Sequence, residues 1–128
     1  MANNDSSMPK DWFAKGDADI QTVEILLGHE GNMEVAASHI QQAIEKYLKG
    51  YLISKGWELK KTHDLAELLD KAVEYNPELE EFRGLCEEST AFYFGSRYPL
   101  FQKGPSKEEV EEALKKARAL IDAISEEV

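Results

Sequence analysis

Apolar residues recur at intervals of three and four positions in five segments of this chain, and no segment sustains the period-two alternation of a β-strand. The pattern predicts an all-α fold. Because most of the connecting segments are short, we expect a five-helix up-and-down bundle. The predicted helices cover about residues 10–28, 33–55, 63–75, 77–95 and 106–124.

The second predicted helix has the longest uninterrupted apolar face, and Gly56 ends it. That face comprises Ala36, Ile40, Ala43, Ile44, Tyr47, Leu48, Tyr51 and Leu52. A helix with this much apolar surface needs partners on several sides. We therefore expect it to be the long central element of the bundle.

Residue types at the helix ends predict where each helix begins. Thr62 is suited to cap the third helix, and Asn76 followed by Pro77 is suited to start the fourth. Ser106 and Glu109 have the spacing of a capping box at the start of the fifth.

Length and composition indicate one domain in the cytoplasm. A chain of 128 residues buries a single core, so we expect one domain at 9–128 behind a disordered tail at 1–8. No apolar run reaches the roughly 18 residues that a membrane span needs. The lone Cys86 has no disulfide partner and no zinc-ligand cluster is present, so we expect a reducing compartment, no metal and no cofactor.

Charge limits the choice of ligand. The formal net charge is −10 at pH 7, and a field of that sign opposes long nucleic acid as a partner. An anionic ligand would need a local group of cations. Lys46, and Arg97 in the segment that follows the fourth helix, are the best candidates for such a group.

His39, Gln42 and Lys46 recur three and four residues apart and so share one polar edge of the second helix. An imidazole, an amide and an ammonium group there could hold a base edge and a phosphate, while Arg97 adds a bidentate fork and Tyr98 a stacking surface. The alternative is structural: His39 and Gln42 satisfy each other or a helix end at a packing or dimer interface.

Two further candidates also have structural alternatives. His63 follows Thr62, where it would either contact a ligand or belong to the first turn of the helix. Tyr93, like Tyr47 and Tyr51, would either stack on a base or pack in the core.

Three motifs resemble those of the HEPN family (higher eukaryotes and prokaryotes nucleotide-binding). They are SHIQQAIEKYLKGYL at 38–52, THDLAELL at 62–69 and FYFGSRYP at 92–99. The resemblance implies a HEPN-type bundle that binds a small nucleotide or polyanion without catalysis. It also implies a homodimer that acts beside a separately encoded minimal nucleotidyltransferase, as in a toxin–antitoxin pair. The alternatives are a structural homodimeric interaction module without a ligand, and a HEPN ribonuclease toxin.

The chain lacks a residue that the ribonuclease alternative requires. Ribonucleases of the family carry an Arg followed, after four to six residues, by a His. After Arg97 the corresponding positions are Gln102, Lys103 and Gly104. Arg keeps its proton and cannot replace His as a base, so no catalytic residue is assigned.

Asp17 and Asp19 form a pair that resembles the magnesium-binding carboxylates of nucleotidyltransferases. Two residues apart on a helix, they project in different directions. We therefore expect both to lie on a solvated face rather than in a metal site.

We predict that the purified protein does not cleave RNA above background, because the histidine partner of Arg97 is missing. A gel assay on a defined RNA, run beside the Arg97→Ala variant, checks this. Cleavage that disappears in the variant would restore the ribonuclease alternative.

Overall fold

The computed structural model describes residues 7–58, 60–97 and 104–128, with side chains in the fourth helix described only as far as residue 91. Every element in these ranges is helical. In chain order they are α1 (Pro9–Gly28), α2 (Met33–Ser54), α3 (Leu65–Tyr75), a 3-10 helix (Pro77–Phe82), α4 (Arg83–Arg97) and α5 (Lys107–Glu127). The predicted all-α class is confirmed. In this part of the chain, no helix is long and apolar enough to cross a membrane.

Most predicted helix starts agree with the structure, and the start of α3 does not. Asp64, not Thr62, is its N-cap: the Asp64 carboxylate accepts the backbone N–H groups of Ala66 and Glu67. Thr62 lies too early for this role, and its hydroxyl instead donates to the Glu67 carboxylate. The prediction of Thr62 as the cap is therefore wrong by two positions.

The predicted fourth helix is two elements. Asn76 accepts the backbone N–H of Glu78, as a cap should, but the helix that starts there is 3-10 and gives way to α4 at Arg83. The capping box of Ser106 and Glu109 is present as predicted, with both reciprocal hydrogen bonds formed.

The long helix α2 packs against all four other α-helices, which places it at the centre of the bundle. Its apolar face is buried as the spacing predicts, including Tyr47 and Tyr51. Both tyrosines are therefore core residues. Cys86 is buried as well, and burial raises the pKa of its thiol to about 12, so it packs as a small apolar residue.

Two glycines let α1 and α2 lie close together. A Cβ atom at Gly16 would lie 2.6 Å from Cδ2 of Tyr47, and one at Gly50 would lie 2.7 Å from Cε1 of Phe13. The pairs run in opposite order along the two helices, so α1 and α2 are antiparallel. This close approach brings the polar residues of α1 within reach of α2.

Glu127, in the last turn of α5, ties three elements of the bundle together. Its carboxylate accepts hydrogen bonds from the hydroxyl of Tyr51 at 3.0 Å and the amide of Asn76 at 3.2 Å, and Lys55 forms an ion pair with it at 3.2 Å. Burial acts to raise the pKa of Glu127, but the bonds from Tyr51, Asn76 and Lys55 outweigh burial and lower it.

We predict that Glu127→Gln lowers the melting temperature at pH 7 and that the deficit shrinks below about pH 4. A carboxyl group whose pKa is lowered by folding stabilises the fold above its unfolded pKa, about 4.3 for Glu, and loses this effect as pH falls. Thermal melts across this range check it, with Glu126→Gln as the control because that neighbour is exposed. A deficit of equal size at pH 7 and pH 3 would show that charge is not the cause.

Candidate functional site

Two carboxylates are buried along the polar side of α2. Asp19 reaches it from α1 and is 6% exposed, and Glu45 belongs to α2 itself and is 9% exposed. A buried carboxylate is costly unless charged partners and hydrogen bonds compensate for the lost water. Each of these two has one lysine and one histidine as its partners.

Asp19 binds the first pair. Its Oδ1 lies 2.9 Å from Nδ1 of His39, and its Oδ2 lies 2.6 Å from Nζ of Lys46. His39 and Lys46 are seven residues apart, two turns of α2, so both can reach one carboxylate on the neighbouring helix. Because a carboxylate only accepts, Nδ1 of His39 must carry the proton. In the neutral ring, the second nitrogen, Nε2, is then unprotonated and can accept a hydrogen bond.

The structure corrects the expectation that Asp17 and Asp19 share a solvated face. Asp17 is exposed, and its carboxylate accepts the hydroxyl of Tyr47, whereas Asp19 is buried against α2. The two do project in different directions, as their spacing requires. The side chain of Asp19 points toward His39 and Lys46, and their donor groups permit its burial.

Glu45 binds the second pair. Its Oε2 lies 3.0 Å from Nζ of Lys49 and 2.8 Å from Nδ1 of His63. Lys49 is 4% exposed and lies 5.6 Å from the ring centre of Trp12, which adds a cation–π contact. The side chain of His63 is 78% exposed, so its Nε2 is open to solvent.

Gln42 lies on α2 between His39 and Lys46. Its amide nitrogen donates to Oγ of Ser38 at 3.2 Å, which leaves its carbonyl oxygen for another donor. One alternative was that Gln42 and His39 form a hydrogen bond with each other. Instead, each has a different partner. Below, the polar stripe means the set Ser38, His39, Gln42, Glu45, Lys46 and Lys49.

Together with Asp19 of α1, the stripe is close to electrically neutral. Asp19 offsets Lys46 and Glu45 offsets Lys49, so the four charges sum to zero when both imidazoles are neutral. The sequence suggested Lys46 as a cation for a phosphate, but in the structure its charge is already offset by Asp19. Its side chain is 24% exposed, and its ammonium group already has an ionic partner.

The other predicted site residues fall partly beyond the described structure. Tyr93 and Arg97 lie in the C-terminal half of α4, where the side chains are outside the described residues, and Tyr98 lies outside them altogether. Their place in the candidate site remains a prediction. Among the residues that are described, no group of three or more His, Cys, Asp or Glu could hold a metal ion.

Sequence reasoning missed Asp19, Glu45 and Lys49 as members of the site. The signal for Asp19 was its position between Gly16 and Val23, at the spacing of the buried side of α1. The signal for Glu45 and Lys49 was an acid followed four residues later by a base within a long apolar helix.

Comparison with known protein families identifies this fold. A family model described as HEPN domain matches residues 9–128, nearly the whole chain. No curated protein and no solved structure matches this sequence.

We predict that Asp19→Asn lowers the free energy of unfolding by about 1–3 kcal/mol, because Lys46 and His39 lose a buried ionic acceptor while remaining partly buried. Chemical denaturation measures this, with the exposed Asp122→Asn as a control for net charge. Equal stability of the two variants would mean that Asp19 does not organise the site.

Proposed function

Because the chain belongs to the HEPN domain family, we propose that it binds a small nucleotide at the polar stripe and catalyses no reaction on it. The observation that carries this proposal is the pair of histidines held by buried carboxylates. Asp19 holds His39 and Glu45 holds His63, each through Nδ1. Both rings are thereby oriented before any ligand arrives.

Pre-arranged polar groups favour binding because less conformational freedom is lost when a ligand arrives. His39 is 29% exposed at its side chain, so it is held firmly yet remains accessible. Gln42 adds a carbonyl oxygen and a second N–H on the same side of α2. These are the group types that recognise the edges of a base.

We also propose that the protein acts with a separately encoded minimal nucleotidyltransferase, in an arrangement like that of a toxin–antitoxin pair. Family membership supports this, and the missing histidine after Arg97 would leave any chemistry to the partner protein. Co-expression with such a transferase and co-purification of the two chains would test the partnership.

A structural homodimeric module is the second candidate. It is favoured by two large apolar side chains on the helix ends that flank the α1–α2 turn: Ile25 is 56% exposed and Val35 is 44% exposed. Exposed apolar side chains are a common feature of interfaces. Light scattering that gives twice the chain mass, with Ile25→Lys returning a monomer, would support this reading.

We predict that at least one nucleotide raises the melting temperature in a screen of the common ribonucleotides. A ligand present at 100 times its dissociation constant stabilises the fold by about 2.7 kcal/mol. Gln42→Ala should reduce the shift, because this residue contributes a free carbonyl oxygen. Gln21→Ala, at an exposed position of α1, should not.

A screen with no response to any nucleotide would contradict the nucleotide proposal and leave the homodimeric module as the better account. A shift that is unchanged in the Gln42→Ala variant would place the ligand elsewhere on the protein.

A further inference from the structure

We infer that the polar stripe binds the uncharged part of a nucleotide, its base or ribose, and that His39 accepts a hydrogen bond from it through Nε2. This inference rests on the proposed nucleotide binding and specifies which end of the ligand the stripe contacts. Three observations around Asp19 and Glu45 support it: the charges there, the hydrogen bonds to Nδ1 of the two histidines, and the exposure of the side chains.

Charge argues against a phosphate at this place. Lys46 lies 2.6 Å from Asp19, and Lys49 lies 3.0 Å from Glu45, so each ammonium group faces a carboxylate of its own. A phosphate placed beside Lys46 would also face the negative charge of Asp19. The pairing therefore cancels most of the attraction that a lone lysine would provide.

The histidine tautomer argues for a hydrogen-bond donor on the ligand. Since Asp19 requires the proton of His39 to be on Nδ1, the neutral ring presents a lone pair at Nε2. No hydrogen bond to this Nε2 occurs among the described residues. A phosphate oxygen at neutral pH offers only lone pairs and would be repelled there.

Bases and ribose supply donors that match the acceptors of His39 and Gln42. Exocyclic amines, ring N–H groups and ribose hydroxyls can all donate to Nε2 of His39 and to the carbonyl oxygen of Gln42. His63 repeats the arrangement beside Glu45, with its own Nε2 exposed. His39, Gln42 and His63 thus offer acceptors beside charged groups that offset one another.

The test compares nucleosides with nucleotides on the full chain. Calorimetric titrations would use adenosine, guanosine, cytidine and uridine, and then the 5′-triphosphate of each. We expect at least one nucleoside to bind with an affinity within about tenfold of its triphosphate, a difference of no more than about 1.4 kcal/mol. Binding of triphosphates without binding of any nucleoside would overturn the inference while leaving the proposed function intact.

A variant separates ligand contact from structural support. In His39→Asn, the side-chain amide can still donate to Asp19 from the place of Nδ1, but the acceptor at Nε2 is gone. We expect an unchanged melting temperature and at least a tenfold loss of nucleoside affinity. His29→Asn, at an exposed histidine after α1, is the matched control and should bind normally.

Wild-type affinity in His39→Asn would overturn the inference, whatever the triphosphates show. An equal loss in His29→Asn would do the same, because the effect would not be specific to the stripe. If neither nucleosides nor nucleotides bind, the proposed function and the inference both fail.

Discussion

The candidate site depends on the burial of Asp19 against α2. The carboxylate of this residue, whose side chain is 8% exposed, is stable there only because His39 and Lys46 donate to its two oxygens. The same contacts fix the orientation of the imidazole and offset the positive charge of Lys46. One buried charge thereby determines the geometry, the tautomer and the electrostatics of this side of the protein.

The close packing of α1 on α2 makes this burial possible. Gly16 and Gly50 allow the two helices to approach, and their antiparallel order brings Asp19 to the level of His39 and Lys46. Glu45 repeats the arrangement from α2 itself, with Lys49 one turn away and His63 supplied by the segment before α3. Two independent groups of acid, base and imidazole therefore line one helix face.

Much of the fold was predictable because helical periodicity and capping are local properties of the sequence. The apolar face of α2 and the capping box at Ser106 followed from residue spacing alone. Thr62 was mistaken for the cap of α3 because Asp64 is an equally good capping residue two positions later, and only the backbone decides between them.

The candidate site was predictable only in part, because residue spacing reports local structure and not contacts between helices. His39, Gln42 and Lys46 were grouped correctly on one edge because they lie on one helix. Asp19, which holds His39 and Lys46, lies on another helix, and its burial is a tertiary property that spacing does not reveal. Periodicity could place Asp19 on a face of α1, but could not show that α2 covers that face.

The most direct test of this account is the tautomer of His39, read from the nitrogen shifts of its ring by NMR at a pH where histidine is neutral. The account predicts the proton on Nδ1 in His39 and likewise in His63, with Nε2 unprotonated, while the exposed His29 serves as the reference. Loss of the Nδ1–H form in Asp19→Asn would confirm that Asp19 is the cause. A proton on Nε2 of His39 in the wild-type protein would contradict the account, because its Nδ1 could not then donate to Asp19.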